Sequence, residues 1–352
     1  MAAGPPADVS ATPPRTISLA LQGGGAHGAF EWGVIERLLE CEDLEIRAAT
    51  GASAGAMNAV GLASGLAEGG RAGAAKTLEA LWKGVSQADG RNVLGSAGSA
   101  FAAMMSPAWL RDTPGWRMAE ASLASFSPYE FNPLGLNPLH DVLEASINFK
   151  AVRERSPIHL FVAATAVRTG RLAVFKGPEL TARHVMASAC LPTVFHAVDI
   201  EGEPYWDGGY LANPPLWPLF YDDTPDDILI VSLNPFARPA APKTPGEIMD
   251  RLNEISFNAT LSSELRAIAF VQKLLDQDML KDEARDRYRR MLVHGIGADG
   301  VLDDLSLASK SDTDWLFLKS LRDRGRKAAQ AWLDKDFQHV GVRSSLDFKP
   351  FL

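Results

Sequence analysis

The chain has 352 residues, of which 46% are hydrophobic and 22% charged, with a formal net charge of −8. This length supports a sizeable buried core and allows two domains, while the acidic balance argues against nucleic acid as a partner and against simple electrostatic docking on anionic lipid. The two cysteines, Cys41 and Cys190, lie in apolar surroundings and supply neither a disulfide framework nor a zinc site.

Residues 1–14 are rich in Ala and Pro, lack an apolar h-region and read as a disordered leader, so a cytoplasmic protein is expected. Arg15–Leu21 then reads as a buried strand and leads directly into Gln22-Gly23-Gly24-Gly25-Ala26-His27-Gly28. A helix follows, with Phe30, Val34, Ile35, Leu38 and Leu39 on one face. Glycines between a strand and a helix N-terminus leave unshielded N–H groups, which suit a phosphate or the oxyanion of a tetrahedral intermediate. Gly23, Gly25 and Gly28 also satisfy the dinucleotide pattern G-x-G-x-x-G, with Glu45 near the spacing of a ribose-binding acid.

Residues 44–50 form a short strand candidate, and Gly51-Ala52-Ser53-Ala54-Gly55 comes next. In a G-x-S-x-G elbow the serine sits on a sharp, exposed strand-to-helix turn, and small residues are needed where strand and helix pack closely. The helix expected after it carries Val60, Leu62 and Leu66. Residues 48–67 are uncharged but consist mostly of Gly, Ala and Ser, and are rejected as a membrane span. A further helix is expected over 69–84. Residues 86–138 are rich in Met and aromatics, including Phe101, Met104, Met105, Trp109, Trp116, Met118, Phe126, Tyr129 and Phe131. They read either as a helical insertion with its own core or as a lid lining an acyl pocket.

Two apolar runs, 158–165 and 228–233, are strands of the buried parallel type, and Arg171–Lys176 is a hairpin partner to the first. Between them Tyr205-Trp206-Asp207-Gly208-Gly209-Tyr210 ends a short β-like stretch in a glycine turn, followed by Asn213-Pro214-Pro215. Four prolines over 235–245 mark a linker. Helical periodicity then runs over 246–291 and 312–337, in segments that could clamp the catalytic domain, shape the substrate mouth or form a homodimer interface. Strands separated by helices imply an α/β fold with a mostly parallel central sheet and helices on both faces.

A glycine-rich turn after the first strand, a serine elbow after the second and a late Asp-Gly-Gly turn together resemble the patatin-like phospholipase family of serine acyl hydrolases. The resemblance spans about residues 16–234 and also includes Ala187-Ser188-Ala189-Cys190-Leu191-Pro192 with Phe195. It implies a three-layer α/β/α catalytic domain over 15–234, with 235–352 as a helical extension packed on it. It also implies a Ser-Asp dyad: Ser53 as nucleophile and Asp207 as the base that contacts it with no histidine between. The oxyanion donors would be the N–H groups of Gly24, Gly25 and Ala54, with Gly23, His27, Gly28, Gly51, Gly55, Gly208 and Gly209 supporting the turns. One departure is His27, where the family usually carries Arg or Lys.

A serine hydroxyl needs an adjacent base, and an ordinary aspartate with a pKa near ~3.9 is a weak one unless water is excluded. A Ser-His-Asp triad therefore stays open at this stage. His27 or His196 could approach Ser53, and the α/β-hydrolase order Ser, acid, His would call on His294 or His339. The expected activity is hydrolysis of lipid carboxylic esters, phospholipid or acylglycerol, without metal or cofactor and independent of calcium. A polyester or a soluble ester would suit the same residues, and contact with a membrane surface is left open. The alternatives are a dinucleotide-binding oxidoreductase using the first glycine loop, and a lipid- or partner-binding protein with the same fold and no turnover.

Overall fold

A computed structural model describes residues 13–88, 127–238, 240–281, 287–297, 299–305 and 307–351. Eight strands form a single sheet: β1 (Arg15–Leu21), β2 (Leu44–Gly51), β3 (His159–Ala166), β4 (Arg171–Lys176), β5 (Val198–Ile200), β6 (Glu203–Asp207), β7 (Asp227–Val231) and β8 (Leu292–Ile296). Their order is β5-β6-β3-β2-β1-β7-β8, with β4 also paired to β3. The five strands from β3 to β8 run parallel, and β4, β5 and β6 add antiparallel pairs.

The apolar runs make this sheet because side chains on alternate residues enter different layers. Ile17, Leu19 and Leu21 of β1 face the layer built from α1 (Gly28–Leu39) and α2 (Ala54–Gln87). Ala20 of β1, with Ile228 and Ile230 of β7, faces the opposite layer, where α6 (Pro245–Asp276) brings Leu261, Leu265 and Ile268. The helices between α2 and α6 in the chain include α3 (Leu139–Ser146), α4 (Phe149–Arg155) and α5 (Ala182–Ser188), beside single turns at Pro128–Phe131 and Pro218–Tyr221. A long C-terminal helix, α7 (Trp315–Lys335), packs on α1 with almost no space between backbones. A Cβ on Gly33 would stand 1.8 Å from the carbonyl oxygen of Arg322, and one on Gly325 1.9 Å from that of Phe30.

The expected α/β fold with a mostly parallel sheet and a helical C-terminal region is the observed one. Two points differ. First, the C-terminal region also supplies β8, which pairs with β7, and α6 packs on the sheet face opposite to α1 and α2 together with Leu216 and Leu219, so this region is part of the sheet sandwich. Second, α6 stops at Asp276, well short of 291, and Asp278 takes a left-handed φ of 54°. The two helices expected over 56–66 and 69–84 are both present: α2 breaks where Gly69 and Gly70 leave helical geometry, and its two arms fold back on each other, so that Trp82 Nε1 donates to Asn58 Oδ1 at 2.9 Å. Most of the aromatic stretch at 86–138 falls outside the described residues, as does most of the expected leader at 1–14. Of the aromatic stretch, Tyr129 is described: it stacks on His196 with ring centroids 4.1 Å apart.

Register is what positions the site. Leu21 of β1 pairs with both Gly51 and Val231, so the loops after β1, β2 and β7 emerge at one level. Connections leave β1 in opposite directions, to β2 and β3 on one side and to β7 and β8 on the other. Such a switch point opens a crevice beyond the strand ends.

Candidate active site

β3 is paired to β4 along 161–166, so its other edge is shared by β2, which pairs with 159–162, and β6, which pairs with 164–166. The two strands approach head to head. Gly51 sits opposite Val162 and Asp207 opposite Ala164. The chain leaving β2 turns through Ser53 directly above the end of β6.

That turn is tight. Ser53 has φ 53° and ψ −123°, a left-handed conformation that side-chain-bearing residues rarely hold. The flanking glycines permit it. A Cβ on Gly51 would lie 2.5 Å from the Gly55 carbonyl carbon, and one on Gly55 2.2 Å from the Leu21 oxygen. The Ser53 N–H donates to the buried Ser188 hydroxyl at 2.9 Å, which ties the elbow to the end of α5. Ala54 is the first residue of α2, where backbone N–H groups have no intrahelical acceptor.

Asp207 is 1% exposed. Its Oδ1 accepts from the Gly209 N–H at 2.7 Å, and its own N–H donates to the Cys190 carbonyl at 2.9 Å. Oδ2 is buried without a hydrogen-bond partner among the described residues. Burial raises the carboxyl from 3.8 to about 6, against the opposing pull of the Gly209 N–H and of the Ser53 hydroxyl beside it. The weakness expected of an aspartate base is thereby reduced: a pKa near 6 suits proton abstraction at neutral pH.

The glycine loop is held from behind by amides. Gly23 donates its N–H to Asn213 Oδ1 at 2.6 Å, so this group is spent. Gly24 offers its carbonyl to the His27 N–H at 3.3 Å, and Gly25 adopts a left-handed φ of 59° beneath the Lys310 carbonyl. The N–H groups of Gly24, Gly25 and Ala54 have no acceptor among the described residues. Gly28 packs on Ala54 and Trp82 and gives its carbonyl to Asn58 Nδ2 at 2.9 Å. Asn58 also donates to Glu31 Oε2 at 2.9 Å, and burial keeps that carboxyl well above the ordinary range. Gly208 and Gly209 open a short 3-10 turn, with Gly208 pressed on the Ala163 carbonyl.

No histidine joins the serine. His27 bonds the Ser309 hydroxyl at 2.8 Å, and burial with Lys310 beside it pushes the imidazole down to about 3, so it is neutral. His196 bonds the Pro128 carbonyl at 3.1 Å; His294 lies buried on β8 against Asp227; His339 contacts Arg343. The dinucleotide constellation is not assembled either. Glu45 stands at the start of β2 beside Thr16, at the end of the sheet opposite to the glycine loop.

Sequence reasoning missed the amide cluster, and it named the segment that holds Ser188 without the bond from that hydroxyl to Ser53. Gln22 Oε1 accepts from Leu233 N and Asn234 N at 2.7 and 2.8 Å, while its Nε2 donates to Asn258 Oδ1 at 2.9 Å and to the Asn213 carbonyl at 3.2 Å. Two local signs were available. Gln22 and Asn234 cap apolar strands where a polar side chain is buried, and Asn258 interrupts the Leu261/Leu265 face of α6.

Ser53 opens into a cavity of about 130 Å³, the size of site that accepts a benzene-like group. Its lining includes the apolar Met57, Trp82, Val142 and Phe195 and the polar Ser311 and Thr313. Among the described residues no helix is long and apolar enough to cross a membrane.

No curated protein sequence matches the chain. Among solved structures it is similar to VipD from Legionella pneumophila, with 16% identity and a TM-score of 0.37, covering 90% of this chain and 67% of that one. It is also similar to ExoU of Pseudomonas aeruginosa, solved in complex with SpcU, with 15% identity and a TM-score of 0.29. That match covers 91% of this chain and 54% of ExoU, so the chain spans about half of ExoU's length. The sequence model described as patatin-like phospholipase matches residues 19–220, more than half of the chain and the whole stretch from glycine loop to Asp-Gly-Gly turn. The chain belongs to the patatin-like phospholipase family.

Proposed function

We propose that the protein is a serine acyl hydrolase that cleaves carboxylic ester bonds of lipids, phospholipid or acylglycerol, through Ser53 and Asp207. The observation that carries this reading is the pairing of a left-handed serine elbow with a buried carboxylate whose Oδ2 has no partner of its own. Asp207 Oδ2 takes the proton of Ser53 Oγ as that oxygen bonds to the ester carbonyl carbon. The carbonyl oxygen becomes an oxyanion held by the N–H groups of Gly24, Gly25 and Ala54. Collapse breaks the bond to the alcohol oxygen, which leaves with the proton from Asp207, and Ser53 is acylated. Water then attacks the acyl carbon and gives its proton to Asp207. The fatty acid departs and Ser53 Oγ recovers its proton.

Burial of Asp207 excludes water from the base, and family membership supports the substrate class. The apolar lining of the cavity suits the first carbons of an acyl chain. Release of fatty acid from a phospholipid or diacylglycerol by the purified protein, in the presence of a chelator, tests the reading. Turnover that disappears in Ser53→Ala and Asp207→Asn supports it. Turnover that survives both substitutions removes it.

A further inference from the structure

The two halves of the oxyanion site arrive on different helices. Gly24 and Gly25 belong to the loop that runs into α1 at Gly28, and Ala54 is the first residue of α2. The two helix starts touch: a Cβ on Gly28 would lie 2.6 Å from the Ala54 Cβ. Asn58 and Glu31 stand at this junction, about one turn into α2 and α1 respectively, and both are fully buried. Asn58 Nδ2 donates to the Gly28 carbonyl and to Glu31 Oε2, each at 2.9 Å, and Asn58 Oδ1 accepts from Trp82 Nε1 at 2.9 Å. An indole N–H can only donate and a backbone carbonyl can only accept, so the amide has one orientation. Asn58 thereby ties α2 to the residue that ends the glycine loop.

Glu31 is the acceptor that aims this amide. Its Oε1 is buried without a hydrogen-bond partner among the described residues. Burial favours the protonated carboxyl, against the pull of Asn58 and of the Gln22 backbone, and the neutral form still offers Oε2 to Asn58. Two apolar side chains of similar size would hold α1 on α2 with no desolvation penalty, but they would lack direction. Hydrogen bonds fix how the two helix starts are placed along and around their axes. Resting on the acyl hydrolase reading above, we propose that Asn58 is a positioning residue: oriented by Glu31 and Trp82, it sets the distance between the Gly24 and Gly25 donors and the Ala54 donor of the oxyanion site. It touches no reacting atom. Its effect belongs to the step in which the oxyanion forms, so its loss should lower kcat and leave KM in place.

The test compares wild type, Asn58→Asp, Glu31→Leu and Glu31→Gln on p-nitrophenyl butyrate. Asn58→Asp keeps the shape and the acceptor for Trp82 but removes the Nδ2 donor; Glu31→Leu removes the acceptor, and Glu31→Gln preserves a neutral one. Asn58→Asp and Glu31→Leu should lower kcat roughly 10- to 100-fold with KM within about twofold, and Glu31→Gln should stay within about threefold of wild type. Unchanged kcat, a KM that rises as far as kcat falls, or a Glu31→Gln as impaired as Glu31→Leu would overturn the proposal. If Asn58→Asp does not fold, Glu31→Leu against Glu31→Gln decides. Hydrogen exchange read by mass spectrometry needs no turnover and so separates this outcome from failure of the hydrolase reading. Peptides covering 22–30 and 51–58 should exchange about tenfold faster in Glu31→Leu than in wild type, with β7 unchanged and Glu31→Gln like wild type. That pattern in a protein whose wild type cleaves no ester would support the brace and count against the hydrolase reading alone. Exchange that is unchanged, or raised equally in β7, would overturn the brace itself.

Discussion

Among the described residues a serine, a histidine and an aspartate meet near the C-terminus, a more familiar residue set than the serine and aspartate of the proposed site. Ser345, His294 and Asp227 form a hydrogen-bonded chain, 3.0 Å from Ser345 Oγ to His294 Nδ1 and 2.9 Å from His294 Nε2 to Asp227 Oδ1. Yet the N–H groups of Ser345 and Leu346 are both spent on the Val293 carbonyl, at 3.1 and 3.0 Å. Asp227 also holds the Gly341 N–H at 2.8 Å. The Ser345 hydroxyl, both His294 nitrogens and Asp227 Oδ1 are all engaged, so the cluster fastens the C-terminal segment to β8. At Ser53 the backbone is left-handed, the following N–H is unspent and Asp207 Oδ2 has no partner. The difference lies in unsatisfied groups. Catalytic capacity follows the donors and acceptors that the fold leaves unpaired, and residue types alone do not reveal it.

Substitutions can break this comparison. Ser53→Ala should lower ester turnover by roughly 10⁴-fold or more, read as fatty acid release, with the fold intact by circular dichroism. Asp207→Asn should cost on the order of 10³- to 10⁴-fold. In the wild type, kcat/KM should fall about tenfold per unit as pH drops below the Asp207 value of about 6, since the base must be ionised. The same residue has the opposite effect on stability. Its pKa is raised on folding, so the native state holds the proton more tightly; this contribution is present below about pH 4 and is lost as pH rises through 6. Asp207→Asn should therefore unfold at higher urea than wild type at pH 7, by on the order of 2 kcal/mol, with the gap closing at pH 4. An unchanged gap at pH 4 would count against a buried charge as its cause.

Smaller effects sharpen the contrast. Ser188→Ala strips the acceptor from the Ser53 N–H and should lower turnover about tenfold while costing roughly 1 kcal/mol in urea melts. Ser345→Ala should cost a similar amount of stability and leave turnover within about twofold, because its hydroxyl serves only the C-terminal fastening. Turnover that tracked Ser345 would invert the comparison.

Legibility of the sequence followed the range of the interactions. β1, β2 and the elbow were readable because each is set by neighbours within a few residues, as was the Asp-Gly-Gly turn. β8 was not: Leu-Val-His-Gly-Ile has no alternation, and its His294 is buried only because β7 and the 344–346 segment cover it. The end of α6 at Asp276 was misread because apolar residues alone do not mark a terminus. The amide cluster joins Gln22, Asn213, Asn234 and Asn258 across more than 230 residues and has no local pattern. Asp207 could be named through its motif, but its meeting with Ser53 depends on β2 and β6 sharing one edge of β3, which only pairing register reveals.

The most direct test of the central claim is intact-mass labelling with a fluorophosphonate, which reacts only with an activated serine. One adduct is expected on wild type, none on Ser53→Ala and one on Ser345→Ala. An adduct that survives Ser53→Ala, or a folded wild type that takes none, would contradict the claim.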